Sequence, residues 1–216
     1  MSGSPVSLSL QVALASTAVT FFLGILAAYG VRKLRRGSGF FDAVFTLPLV
    51  LPPTVVGFLL LVLLGNYGPF QGIYERFQFH IVFTWWANII AAIVVSFPLM
   101  YRTAYGTFLQ VNEEYLQVAR TLGMSEKKIF WKILLPLSRQ GLISGVILTF
   151  TRSLGEFGAT MMISGNIPGK TQTISTAIYS AVQAGRKEQA FAWVGVVMAL
   201  NLVSILSLHV LTQRGK

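Results

Sequence analysis

Five apolar segments, each long enough to cross a bilayer, leave this chain few ways to fold. They cover residues 6–31, 43–64, 83–105, 142–163 and 191–211, and a crossing helix takes roughly 20 residues. Composition agrees: 54% of the 216 residues are hydrophobic and 11% are charged, against about 25% charged in a soluble domain. The expectation is an all-α integral membrane protein, residues 1–216 forming one transmembrane domain with five transmembrane helices. The first segment is not expected to be a secretory leader, because no Lys or Arg precedes it and it is too long for a signal-peptide core. It is expected as a retained span.

The formal net charge of +10 is distributed by loop, so it argues for membrane topology and against nucleic-acid binding. Arg32, Lys33, Arg35 and Arg36 follow the first span. Arg120, Lys127, Lys128, Lys132 and Arg139 follow the third, and Arg214 and Lys216 end the chain. The alternate loops hold only Arg76, Lys170, Arg186 and Lys187. The richer set belongs in the cytoplasm, which puts the N-terminus outside, the C-terminus inside and the whole in a cell (inner) membrane.

Residues 112–136, NEEYLQVARTLGMSEKKIFWKILLP, form the longest polar run. Tyr115, Leu116, Ala119 and Leu122 recur at helical spacing. Gly123 breaks that helix, as glycine does where a chain must turn. Ser125 can cap a second helix from Glu126, whose apolar side holds Ile129, Ile133 and Leu134, and Pro136 closes the unit. Helix, glycine, helix, proline between two spans reads either as a solvated loop or as a rigid docking knob. Trp131 lies on this unit, away from the bilayer interface that Trp85 and Trp86 suit. An apolar socket on a partner would account for it.

Two places inside the spans break the apolar pattern. Pro48, Pro52 and Pro53 cannot sit in an unbroken helix, since each removes a backbone donor and clashes with the preceding turn. The freed carbonyls must be satisfied by protein or water, so the break lines a pathway or packs as a kink. Pro98 predicts a smaller kink in the third span, and Gly141 with Gly145 a close helix contact opening the fourth. Arg152 and Glu156 lie within that fourth span, four residues apart, where each charge costs about 2.5–3.5 kcal/mol to insert. They can pair on one helix face. One role is to fix helix register. The other is to offer positive potential to a passing anion, against which a permanently paired Arg counts.

Other chemistry finds no support. Gly165–Thr171, GNIPGKT, has three residues between Gly165 and Gly169 where a phosphate loop needs four, so it is expected as an outer turn, where a delivering protein could dock. There is no cysteine. His80, His209 and the carboxylates Asp42, Glu75, Glu113, Glu114, Glu126, Glu156 and Glu188 have no metal-ligand spacing. Asp42 and Ser38 suit the start of the second span.

These residues resemble the permease subunits of binding-protein-dependent ABC importers. The signature loop of that family is Glu-Ala-Ala, three residues, Gly, nine residues, Ile, one residue, Leu-Pro. The same frame runs here through Gln117-Val118-Ala119, Gly123, Ile133 and Leu135-Pro136. Gln117 and Val118 depart from it, leaving no carboxylate at 117 but the same helix–glycine–helix frame. Within that family PLVLPPTVVG, ARTLGMSEKKIF, LGEFGAT and NIPGKTQTISTAIY are similar to the molybdate permeases, with sulfate permeases similar but longer. The resemblance implies a type I ABC importer permease fold that takes molybdate, or tungstate or sulfate, into the cell by alternating access. It implies a coupling loop over 112–136, with Gln117, Ala119, Leu122, Gly123, Met124, Ser125, Glu126, Lys127, Ile129 and Pro136 at or near an ATPase. It also implies a second copy of the chain, two cytosolic ATP-binding subunits, an extracytoplasmic oxyanion-binding protein, and ATP and Mg held only by the partner. A self-sufficient channel or secondary transporter would need no such partners. A membrane enzyme or scaffold is the third alternative, and an enzyme lacks any acid–base or metal cluster here.

Overall fold

Every regular element among the described residues of the computed structural model is a helix. The structure describes residues 3–34, 36–65, 68, 69, 72, 76 and 80–213. Arg35, Glu75, Arg214 and Lys216 lie outside them, as does the side chain of His209.

Helix α1 (Pro5–Lys33) starts at Ser4, whose hydroxyl accepts a bond from the Ser7 N–H at 3.2 Å, and ends with Arg32 and Lys33 in its last turn. Both ends follow ordinary capping chemistry, with cations near the negative end of the helix dipole. The expected second span is two helices rather than one rod. Helices α2 (Ser38–Val50) and α3 (Pro53–Leu64) meet at 108°. Prolines 52 and 53 force Leu51 and Pro52 into extended conformations, and Pro53 then occupies the first turn of α3, where no N–H is needed. Pro48 remains inside α2. Helix α4 (Trp85–Gln110) runs through Pro98 without a break. Asp42 does more than start α2: its carboxylate accepts bonds from Arg102 at 2.9 Å and from the Tyr101 hydroxyl at 3.0 Å, tying α2 to α4.

After α5 (Glu113–Thr121) comes a composite helix. It comprises α6 (Glu126–Ile129), a π-helical turn over Phe130–Leu134 and α7 (Leu135–Leu137). The chain bends by 73° into α8 (Arg139–Leu154). The expected fourth span therefore stops at Leu154. A short α9 (Gly158–Ile163) follows, then α10 (Ile174–Gln183) and α11 (Lys187–Gln213). By length and apolarity α1, α4 and residues 187–207 of α11 can each cross a membrane. Five crossings are reached if each bent pair, α2–α3 and α6/α7–α8, counts as one.

Helices α1, α4 and α8 form the centre. Apolar surface gains little by leaving lipid for protein, so close packing at small residues carries this contact. A Cβ at Gly24 would come within 2.7 Å of Met100 Cγ, and one at Gly145 within 3.0 Å of its sulfur. Met100 is held between them, in a core with Ile25, Ala28, Tyr101 and Phe108. A second core joins α3, α4 and α9 through Val56, Leu60, Ala91, Val95, Ala159 and Ile163. The sequence GNIPGKT is a turn, with Gly165 and Gly169 at φ 66° and 74° and three N–H groups converging on the Ile167 carbonyl. It follows the helix α9, not a strand.

Candidate functional site

The polar run folds into a knob with two contrasting sides. Asn112 caps α5 by accepting from the Glu114 N–H at 2.9 Å, with Glu113 and Glu114 in the positive first turn. The helix stops at Leu122 in a Schellman closure. The Gly123 N–H donates to the Arg120 carbonyl at 2.9 Å, and the Met124 N–H to the Ala119 carbonyl at 3.0 Å. Gly123 sits at φ 76°, and a Cβ added there would meet nothing within 4 Å. Its requirement is backbone handedness, not space. Ser125 takes the cap position of α6, but its hydroxyl makes no capping bond, contrary to expectation. Pro136 does not close the unit either. The π turn lets the Leu135 N–H reach the Phe130 carbonyl five residues back, and the helix continues past Pro136 to Leu137. A widened turn relieves the clash that a proline ring makes with the carbonyl four residues before it.

The inner side of the knob is buried. Leu116, Ala119 and Ile129 pack on one another with Met124 and Ile133 against them. Phe130 and Leu134 reach into the central core beside Ala28, Val31, Ala104 and Phe108. The outer side is bare and apolar in places: Leu122 is 76% exposed and Trp131 66%. Tyr115 and Val118 are exposed as well. Gln117, Ser125, Glu126 and Lys127 lie on the exposed side, and Ala119 and Ile129 on the buried side.

An ion network that local spacing could not reveal ties the knob together and to the end of α1. Arg120 donates from Nε to Glu126 at 2.8 Å and from Nη1 to Glu113 at 2.9 Å, clasping α5 to α6. Arg32 donates to the other Glu113 oxygen at 2.8 Å. Lys33 lies 3.6 Å from Glu126 and 4.3 Å from the centre of the Tyr29 ring. Hydrogen bonding from Arg120, with the charges of Arg120 and Lys33, holds the Glu126 carboxyl below the ordinary range. The bonds to Glu126 and then Glu113 raise the Arg120 pKa above its ordinary value. Between α1 and the knob these groups line a cleft of about 500 Å³, with Leu116, Phe130 and Leu134 at its base.

The intramembrane pair forms as expected, at 2.8 Å between Arg152 Nη1 and Glu156. It is not a pair on one helix, because α8 ends between the two residues, with Gly155 as its cap. Glu156 instead accepts from the Ala159 N–H at 2.9 Å, at the start of α9. Its side chain is 3% exposed and that of Arg152 is 30% exposed. This break meets the proline break. A Cβ at Gly158 would lie 3.0 Å from Pro53 Cβ, and one at Gly57 only 2.7 Å from Ala159 Cα. The prolines of the second segment are therefore a packed kink that also borders a cleft, with Pro53, Thr54 and Arg152 on its walls. Among the described residues no group of three or more His, Cys, Asp or Glu side chains could hold a metal ion.

A helical membrane bundle with broken helices and a helix–glycine–helix knob is the architecture of type I ABC importer permeases. The inward-facing MetNI methionine ABC transporter shares it with a TM-score of 0.78 at 13% identity, over 97% of this chain and 93% of that one. The model of the family described as binding-protein-dependent transport system inner membrane component matches residues 20–215, and the chain belongs to this family of multi-pass membrane transport proteins. Molybdenum transport system permease protein ModB of Escherichia coli K12 is 44% identical, over 93% of this chain and 89% of its own length. ModB of Haemophilus influenzae is 40% identical, over 98% and 93%. Sulfate transport system permease protein CysT of E. coli K12 is more distant, at 34% over 88% and 69%.

Proposed function

We propose that this chain is the membrane-spanning permease subunit of an ATP-driven importer that carries molybdate into the cytoplasm by alternating access. The observation that carries the substrate is the 44% identity to ModB over nearly the full length of both chains. The observation that supports the drive is the knob. It is rigid on the inside, joined to the bundle through Phe130 and Leu134, and offers exposed Leu122 and Trp131 to a partner. Loop charge supports a cytoplasmic knob and C-terminus with the N-terminus outside.

Two cytosolic ATP-binding subunits receive two knobs, one from each copy of this chain in a C2 dimer. A separate extracytoplasmic protein delivers the oxyanion. ATP and Mg bind the partner subunits; this chain binds no cofactor and hydrolyses nothing. Closure of the ATPases draws the knobs together, and the bundle rocks from inward-open to outward-open. The test is uptake of radiolabelled molybdate by the reconstituted complex, with sulfate as competitor. ATP-dependent molybdate uptake resistant to excess sulfate is expected. Preference for sulfate would assign the sulfate-type reading, and uptake by this chain alone would assign a channel.

A further inference from the structure

We infer that Arg152, where the two helix breaks meet, is a transient station for the transported oxyanion within the membrane. The inference rests on the importer reading and adds a site to it. A guanidinium inside an apolar segment faces a bundle interior or a wet cavity rather than lipid, because lipid exposure of the charge is costly. Arg152 is 30% exposed and borders a cleft of about 330 Å³, which has room for several waters at about 30 Å³ each. Its opening therefore belongs to a wet path. Among the described residues only Nη1 of Arg152 is engaged, with Glu156, so the other guanidinium donors are available to a ligand. Thr54 also lines this cleft. Its backbone N–H, at the second position of α3, has no acceptor within that helix. Discontinuous membrane helices commonly bind anionic groups this way, with helix starts converging on a charge.

Glu156 makes the station weak, and a conduction path needs release as well as entry. Its carboxylate neutralises Arg152 and is itself fixed to α9 by the Ala159 N–H. Gly155 separates the two partners, so the cation belongs to α8 while the anion, in the joint, is tied to the first turn of α9. Relative movement of those helices would loosen the pair and bare the guanidinium. Closing it again would expel the ligand.

The test uses the whole complex with its binding protein, and molybdate as the probe. Glu156→Gln keeps an acceptor for the Ala159 N–H but frees Arg152. It should raise molybdate occupancy beside Arg152, read as molybdenum anomalous scattering, and slow turnover about tenfold. The paired variant Arg152→Gln/Glu156→Gln leaves two neutral amides in place of the ion pair; it should lose the anomalous signal and slow uptake while ATP hydrolysis continues. Unchanged uptake per ATP and no signal in Glu156→Gln would overturn the station. Equal loss of thermal stability and of transport in both variants, without any change in occupancy, would leave only a structural pair and also overturn it. If the unaltered complex carries sulfate instead, the same arms run with sulfate uptake judge the station separately from the choice of substrate.

Discussion

The knob and the double break both depend on glycine, for opposite reasons. At Gly123 the chain needs a left-handed residue, and there is open space around it. At Gly57 the backbone is ordinary and the space is missing, with Ala159 Cα where a Cβ would go. Charge divides in the same way. The knob's ions form a mesh between α1, α5 and α6 that is about half exposed except at Arg32. The break holds one ion pair with a buried carboxylate. One region presents exposed apolar side chains such as Leu122 and Trp131, and the other lets backbones meet within the bundle.

Substitutions can break or sharpen this contrast. Gly57→Leu should have the largest effect, because the Ala159 backbone cannot step aside as a side-chain tip would; overpacking of this kind costs about 1–3 kcal/mol or more. Lower yield and a lower melting temperature of the purified complex would show it, while Gly57 tolerating Leu would deny the close approach. Gly123→Val should leave the bundle folded, with about 1–2 kcal/mol of local strain from the left-handed backbone. Its signature is ATP hydrolysis without molybdate uptake, and Gly123→Asn should be milder, since Asn accepts that conformation better. Arg120→Gln removes two exposed ion pairs worth roughly 0.2–1 kcal/mol each, so it should loosen coupling without unfolding. Hydrogen exchange at α5 and α6 would rise if the clasp is real.

Acid should give the smallest change. The Glu126 pKa is depressed in the folded chain, so its contribution is complete above the ordinary Glu value of about 4.3. It is lost only as pH falls through the lowered folded value. Exchange protection at α6, relative to the unfolded chain at the same pH, should stay flat from neutral pH down to that range and fall below it. Glu126→Gln should remove the step.

The knob was legible in the sequence because its signals are local: a helical stripe, one glycine, and a polar composition amid apolar neighbours. The proline break was legible for the same reason, although its 108° angle was not. The end of α8 at Leu154 was hidden, because the apolar run continues across it and no proline marks it. Spacing put Arg152 and Glu156 on one helix face, and only the fold shows a joint between them. Arg32 with Glu113, and Arg102 with Asp42, pair across 81 and 60 residues, and no periodicity records such contacts. Ser125 misled because position and residue type were both right for a cap, yet the hydroxyl forms no capping bond.

In the proposed importer the knob is held by an ATP-hydrolysing neighbour. The chain contains no cysteine, so Leu122→Cys gives a single addressable thiol at the exposed tip of the knob. Crosslinking from that thiol in the assembled complex should capture the ATP-binding subunit, with a yield that changes when ATP is added. Capture of only lipid, solvent-borne quencher or the extracytoplasmic binding protein would contradict the account.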